Sequence, residues 1–241
     1  MKDTIKINKG NAKIIAHRGL SGIERENTAS AFVAAGNRSY FGIETDVRAT
    51  KDGKYVLLHD DTTERCGIDA LVPSQCTLQT IQSVVLKDKD EKRGRIDLRV
   101  PEMIDYIRIC AKYGKVGVLE FKGMYNEEQM KEIVDIIKAE YSLDNMIFIS
   151  FAFENLVTLR KVCPESHCQF LTGEYKQEIL DLLVEHKMGL DIWSNAIPDE
   201  EKVKNILGMG IELNVWTVDD KDLAEKLIGW GVQFITSNIL E

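Results

Sequence analysis

The run MIFISF, at residues 146–151, decides the fold class of this chain. Its apolar residues occupy successive positions, so a strand formed here must be buried on both faces. Strands of this kind are typical of parallel sheets that helices cover. Seven other short, β-rich runs occur along the chain, at 13–17, 42–47, 116–122, 167–171, 190–193, 212–217 and 232–236.

Segments with helical periodicity separate these runs. Asn126 can cap a helix with one apolar face, and Pro101 can open another that Gly114 ends. Acidic residues at 199–201 and 220 favour two more helix starts. Eight strand runs alternating with helices within 241 residues predict a TIM (β/α)8 barrel, with a doubly wound open sheet as the alternative.

Two irregular segments accompany this pattern. Residues 54–58 form an extra predicted strand directly after the second barrel strand, and residues 60–99 are long and polar for a connection. Such a segment is more often a functional excursion than a plain link. No linker or compositional break divides the chain, which predicts one domain over residues 1–241. The sequence ends soon after its eighth strand, so residues 1–12 are expected to cover the place of an eighth helix or the barrel bottom.

The composition excludes several classes of protein. A net charge of −8 without a basic stripe argues against nucleic acid as the main partner. No apolar run approaches the ~20 residues of a membrane span, and the first residues lack the apolar core of a signal peptide. We therefore expect a cytoplasmic protein without stable membrane insertion, and the sequence carries no signal for an oligomeric state.

The five cysteines show no Cys-x-x-Cys pair, and their number is odd. This pattern favours free thiols in a reducing compartment. A bridge between Cys66 and Cys76 is the alternative.

Polar residues follow the first three predicted barrel strands. His17 ends the first strand, Glu44 and Asp46 end the second, and Glu120 and Lys122 end the third. Barrel enzymes place their working residues at the carboxyl ends of strands, and residues two apart share a face. The three carboxylates are therefore expected to converge at one rim.

These residue types together point to phosphoryl chemistry. Three carboxylates without cysteine ligands suit one hard divalent cation, Mg²⁺ or Ca²⁺, with Mn²⁺ also compatible. Arg18 and Lys122 are suited to hold a phosphate, and His17 and His59 to exchange protons near neutral pH. Taken singly, each residue also fits a solvated strand end, an ion pair or a structural histidine.

The ordered residues from 17 to 65 closely resemble the glycerophosphodiester phosphodiesterase family. They read HRG at 17–19, ENT at 26–28, GIETDV at 42–47, KDG at 51–53, HD at 59–60 and Arg65. Later strand-end signatures of the family resemble EFK at 120–122, SF at 150–151 and WTVD at 216–219. The resemblance implies a TIM barrel with a small insertion after strand two.

The resemblance also implies an activity and roles for particular residues. The activity is metal-dependent hydrolysis of small-molecule glycerophosphodiesters to sn-glycerol 3-phosphate and an alcohol. The implied roles are catalysis for His17 and His59, metal ligation for Glu44, Asp46 and Glu120, phosphate binding for Arg18 and Lys122, and a wall against the alcohol for Trp216. Trp216 fits simple rim packing as well. Which histidine is the acid, and whether water or the substrate's 2-hydroxyl attacks, stay open.

The sequence departs from the family pattern at two places, and two other functions remain as alternatives. Arg25 stands where a proline usually precedes Glu-Asn-Thr, and residues 236–240 read TSNIL where the family often has Thr-Asp-x-Pro. A lysophospholipase-D-like enzyme would need an apolar groove, whereas segment 87–99 is highly polar. A non-catalytic barrel that binds phosphorylated ligands would have lost some of the histidines or carboxylates.

Overall fold

Eight parallel strands close into a barrel in the computed structural model, which describes residues 3–241. With one further strand, β3, which is not part of the barrel, the described residues contain nine strands. They are β1 (Lys13–Ala16), β2 (Gly42–Ala49), β3 (Tyr55–Leu57), β4 (Val116–Phe121), β5 (Met146–Ser150), β6 (Cys168–Thr172), β7 (Gly189–Trp193), β8 (Leu213–Trp216) and β9 (Phe234–Ser237). β1 pairs with both β2 and β9, which closes the ring, and β3 lies outside it. The predicted TIM barrel is confirmed, and the open sheet is excluded because closure leaves no free edges in the ring.

Eight helices accompany the strands in the described residues. They are α1 (Ala29–Gly36), α2 (Leu78–Gln82), α3 (Met103–Tyr113), α4 (Glu127–Glu140), α5 (Phe153–Val162), α6 (Gln177–His186), α7 (Glu200–Gly208) and α8 (Lys221–Gly229). As predicted, Asn126 caps α4 and Asp220 caps α8 through their side chains. The predicted start at Pro101 is two residues early, because Glu102 is the residue that caps α3. Within residues 3–241, no helix is both long and apolar enough to cross a membrane.

The predicted extra strand forms a hairpin with the second barrel strand. β3 runs antiparallel to β2, with Val47 opposite Leu57 and Ala49 opposite Tyr55. This pairing extends β2 beyond the predicted end. Glu44 and Asp46 therefore lie within β2, and the prediction that they end the strand is wrong.

The excursion predicted at 60–99 lies between β3 and α3 and has a small core of its own. The buried members of this core are Val56, Cys66, Ile81, Val84, Leu86, Leu98 and Val100. All five cysteines of the chain are free thiols, so Cys66 and Cys76 form no bridge.

Arg25 anchors this excursion to the barrel. Its buried guanidinium donates to the carbonyl oxygen of Lys87 at 2.6 Å and to that of Asp88, and it lies 3.2 Å from Glu91 Oε1. Proline could make none of these contacts, because its side chain has no donor. The departure from the family pattern at this position therefore has a structural reason.

The N-terminal segment pairs with the last residues of the chain. Ile5 forms a parallel bridge with Leu240, while residues 1 and 2 of the predicted N-terminal cover lie outside the described range. The buried Glu241 side chain accepts from Thr4 Oγ1 at 2.6 Å and from the Ser39 amide at 2.6 Å. Lys6 Nζ lies 2.8 Å from the same carboxylate. Although burial raises it, these donors lower the pKa of Glu241 to about 2, from an ordinary 4.5.

Replacing this carboxylate is expected to weaken the fold in a pH-dependent way. Glu241→Gln should lower the free energy of unfolding at pH 7 by about 1–2 kcal/mol, since its partner Lys6 is solvent-exposed. The folded-state pKa lies below the unfolded one, so the stabilisation is complete above pH 4.5 and disappears toward pH 2. Urea denaturation at pH 7 and pH 3 measures this, with the exposed Glu185→Gln as control. An equal loss at both pH values would contradict the ionic origin.

Candidate active site

A cavity of about 160 Å³ opens at the carboxyl ends of the barrel strands. Of the eight residues singled out from the sequence, seven line it: His17, Arg18, Glu44, His59, Glu120, Lys122 and Trp216. The eighth, Asp46, is completely buried beside Glu44 and Glu120. The structure therefore brings all eight of these residues together in one region of the barrel.

Three carboxylates form the polar centre of this site. Glu44 and Asp46 share a face of β2, and Asp46 is the direct neighbour of Glu120 on β4. One oxygen from each lies within 4.8 Å of the others, and all three residues are buried. Like charges held this close repel one another, and burial disfavours their ionised forms. A bound cation would relieve both the repulsion and the cost of burying the ionised forms.

Burial and the neighbouring charges shift the pKa values of all three carboxyl groups. Burial and the neighbouring Asp46 raise the pKa of Glu44 well above its usual range and that of Glu120 to about 8. Burial also acts on Asp46, but Lys122 and Arg18 hold its pKa well below the usual range. The oxygen donors and the negative charge suit a hard divalent cation.

Two positively charged side chains, those of Lys122 and Arg18, lie beside the carboxylates at the cavity. Lys122 Nζ lies 2.6 Å from Glu120 Oε1 and 3.3 Å from Asp46 Oδ1. Arg18 Nε lies 3.6 Å from Asp46 Oδ2, and the Arg18 amide donates to Glu44 Oε2 at 2.7 Å. Both side chains also line the cavity. An anion there could accept hydrogen bonds from the Arg18 guanidinium and pair with the Lys122 ammonium group.

The two histidines meet different partners. His17 Nδ1 lies 2.8 Å from the amide oxygen of Asn238, and its Nε2 lies 4.0 Å from Glu44 Oε2. Burial and the adjacent Arg18 lower the pKa of His17 to about 4. His59 Nδ1 lies 2.6 Å from Asp60 Oδ1, and burial lowers the pKa of His59.

A network of ion pairs connects Asp60, which contacts His59, to Glu26, which contacts Arg18. Arg65 donates to Asp60 Oδ2 at 2.6 Å and to Glu26 Oε2 at 2.6 Å. Glu26 in turn accepts from Arg18 Nη1 at 2.8 Å. Arg65 lowers the pKa of Asp60 to about 2, which keeps it ionised beside His59. The matched residues Glu26, Asp60 and Arg65 of the sequence pattern thus form one connected support.

Asn27 holds the carboxylate layer from behind. It is buried in a left-handed backbone conformation, with φ of +52°. Its Nδ2 donates to Asp46 Oδ2 at 2.7 Å, while its Oδ1 accepts from Thr45 Oγ1 at 2.7 Å. The sequence motif contained this residue, but only the tertiary contact gives it a part in the site.

Sequence reasoning assigned no place in the site to Asp191. This carboxyl on β7 lines the cavity, is 1% exposed, and its Oδ1 has no hydrogen-bond partner. Burial and the nearby Glu120 raise its pKa well above the usual range. An aspartate inside the otherwise apolar run 189–192 was the signal that could have found it.

One wall of the cavity is aromatic. The Trp216 and Phe151 rings meet edge to face with centroids 5.7 Å apart, and Phe151 is half exposed. Trp216 Nε1 donates to the carbonyl oxygen of Asp191 at 3.2 Å, which fixes the indole at the rim. Trp216 and Phe151 therefore both line the cavity, and the contact of Trp216 with the alcohol of a substrate stays a prediction.

A family model described as the glycerophosphoryl diester phosphodiesterase family matches residues 17–240. The chain belongs to this family. The match begins at His17 and spans the barrel. It confirms the resemblance and the prediction that the chain is an enzyme of this class.

Relatives in sequence and structure agree with this membership. A glycerophosphodiester phosphodiesterase from Caldanaerobacter subterraneus subsp. tengcongensis is 29% identical over 237 residues, with 93% of each chain covered. A glycerophosphodiester phosphodiesterase structure from Parabacteroides distasonis is 26% identical, with a TM-score of 0.76 over 95% of this chain and 93% of that one. A phosphodiesterase of Oleispira antarctica, solved with its product sn-glycerol-3-phosphate, shares the fold with a TM-score of 0.86 at 24% identity, covering 98% and 96%.

Proposed function

We propose that this protein hydrolyses glycerophosphodiesters to sn-glycerol 3-phosphate and an alcohol, using a divalent cation and two histidines. Family membership supports the reaction class. The observation that carries the detailed proposal is the convergence of three buried carboxylates, two cations and two histidines on one cavity. No other cluster of three or more potential metal-ligating side chains is found among residues 3–241.

Glu44, Asp46 and Glu120 would hold the cation. The fit rests on the donor set, since three buried carboxyl groups each offer an oxygen ligand within 4.8 Å of the others. Mg²⁺, Ca²⁺ and Mn²⁺ all accept such oxygen ligands. When bound, the cation supplies positive charge to a phosphate oxygen and so stabilises the charge that develops in the transition state.

Arg18 and Lys122 would bind and orient the phosphate of the substrate. Their side chains reach the cavity from the ends of β1 and β4. Arg18 forms an ion pair with Glu26, and Lys122 forms ion pairs with Asp46 and Glu120. A phosphate held in this way presents its ester bond to the histidines. Trp216 and Phe151 would cover an apolar part of the substrate.

The two histidines would exchange the protons that the reaction requires. One ring removes the proton from the attacking hydroxyl, whose oxygen forms a bond to phosphorus. The bond from phosphorus to the leaving oxygen breaks, and the other ring gives that oxygen a proton. The attacking hydroxyl is that of water or the 2-hydroxyl of the glycerol; in the second case, water opens the cyclic phosphate afterwards.

The excursion favours small water-soluble diesters over lysophospholipids. Its charged residues pair with one another and with the barrel, as Arg95 does with Glu24 at 2.7 Å and Asp97 at 2.6 Å. These charged pairs favour a polar substrate over an acyl chain, although Ile68, Val85 and Ile96 are also exposed on the excursion. The intact set of histidines and carboxylates favours catalysis over mere binding.

A substrate panel tests the proposal. Glycerophosphocholine, glycerophosphoethanolamine, glycerophosphoglycerol and lysophosphatidylcholine are each incubated with Mg²⁺, Ca²⁺ or Mn²⁺, and released sn-glycerol 3-phosphate is measured. We expect turnover of at least one glycerophosphodiester and little of the lysophospholipid. An Asp46→Asn variant purified in parallel reports any contaminating activity. Turnover of the lysophospholipid alone, or of no diester with any of the cations, would refute the proposed substrate class.

A further inference from the structure

Asn238 connects the ring of His17 to an exposed carboxylate outside the cavity. Its Oδ1 lies 2.8 Å from His17 Nδ1, and its Nδ2 donates to Asp219 Oδ2 at 2.6 Å. The other oxygen of Asp219 accepts from Ser237 Oγ and from the Asn238 amide, both at 2.8 Å. Neither Asp219 nor Asn238 lines the cavity.

The hydrogen bonds that link Asp219, Asn238 and His17 fix the proton of the neutral His17 ring, and Ser21 Oγ, 2.7 Å from Asn238 Oδ1, is a further donor to that oxygen. An ionised carboxylate only accepts, so Asn238 must turn its NH₂ group toward Asp219. Its carbonyl oxygen then faces His17 and also only accepts, so the bond between them requires a proton on His17 Nδ1. In the neutral ring, Nε2 consequently carries the lone pair. That nitrogen is the one on the side of Glu44.

We propose that Asp219, acting through Asn238, is a positioning residue that fixes His17 in the tautomer whose Nε2 accepts a proton. With Nδ1 protonated, the Nε2 atom of His17 is the one that takes up and releases a proton during the reaction. The inference rests on the proposed function, to which it adds the interaction that sets the protonation of His17.

Asp219→Asn is the decisive variant, because it removes one charge and hardly changes the shape. The position of Oδ1 must stay an acceptor for Ser237 Oγ and the Asn238 amide. The new NH₂ group therefore takes the place of Oδ2 and faces Asn238, which must flip to accept from it. The flipped Asn238 then donates to His17 Nδ1, and the proton of the neutral ring moves to Nε2.

Two measurements follow this change. Nitrogen-15 NMR of the labelled apo-protein above pH 7 should show a protonated Nδ1 for His17 in the wild type and a protonated Nε2 in Asp219→Asn. For the best diester of the panel, kcat should fall by about 10- to 100-fold while KM changes little, because Nε2 of the wrong tautomer has no lone pair to take up a proton. Asp220→Asn, an equal change of charge one position along, should alter neither measurement.

A double exchange provides the rescue. In Asp219→Asn/Asn238→Asp the amide faces a carboxylate again, and that carboxylate accepts from His17 Nδ1. The protonated Nδ1 and most of kcat should return. The proposal is overturned if Asp219→Asn leaves the His17 tautomer unchanged, or if the double variant stays as slow as the single one. A wild type that cleaves no diester refutes the proposed function, while the NMR measurement still decides the tautomer.

Discussion

Replacing His59 with alanine is expected to lower kcat for glycerophosphodiester hydrolysis by about 10²- to 10⁴-fold, and His17→Ala should do the same. Each change removes one proton carrier while the carboxylates and phosphate-binding cations stay in place. Both rings lie at the rim and are partly accessible, so the fold should tolerate their loss. Release of sn-glycerol 3-phosphate under saturating substrate measures the effect.

The matched control is another histidine of the same chain. His167 lies directly before β6, at the opposite end of the barrel, and its Nε2 contacts Glu212 at 2.5 Å. His167→Ala should keep the wild-type kcat and lose at most a little stability. If His17→Ala or His59→Ala retained full activity, the histidine assignment would be wrong.

Removing the divalent cation is expected to abolish activity and lower the melting temperature. The three buried carboxylates repel one another unless a cation balances them. A cation at 100 times its Kd stabilises the fold by about 2.7 kcal/mol, which corresponds to a rise in Tm of about 5–10 °C for a chain of this size. Thermal unfolding in EDTA and with Mg²⁺, Ca²⁺ or Mn²⁺ measures the shift, and activity should return when the cation is restored.

Glu44→Gln separates this effect from general salt stabilisation. The amide oxygen can still accept from the Arg18 backbone, but one negative charge of the cluster is gone. The variant should lose most of the cation-induced shift in Tm while being at least as stable as the wild type in EDTA, because an amide is easier to bury beside Asp46 and Glu120 than the Glu44 carboxyl, whose pKa burial raises. Glu185→Gln, on the exposed side of α6, should keep the full shift. Equal shifts in all three proteins would contradict a cation site at Glu44.

The sequence predicted the barrel and the convergence of its polar residues because both follow from local patterns. These are the alternation of strand runs with helices and the two-residue period of side-chain direction along a strand. Successive side chains of a strand point to opposite faces, which places Glu44 and Asp46 of β2 on one face, with Asp46 beside Glu120 of β4. The prediction placed Glu44 and Asp46 too near the strand end, since pairing with β3 lengthens β2 beyond the inner motif. The predicted start of α3 at Pro101 is two residues early for a similar local reason, because Glu102 caps a helix that begins at Met103.

The sequence did not predict contacts between segments that lie far apart along the chain. Arg25 meets a carbonyl 62 residues away, and Asn238 meets His17 across 221 residues. Neither pairing has a period or a spacing that could reveal it. Asp191 was missed because a single carboxyl in a buried strand leaves no pattern beyond its own presence.

The sequence by itself determined the order of strands and helices, the inward face of each strand and the residue types at the barrel mouth. These follow from local stereochemistry and from the burial of apolar side chains, which the order of residues encodes directly. Only the tertiary structure decided which partner each histidine meets and which carboxylate stays charged. Hydrogen-bond direction and pKa depend on atoms within a few ångströms, and barrel closure brings β1 and β9 from opposite ends of the chain to that distance.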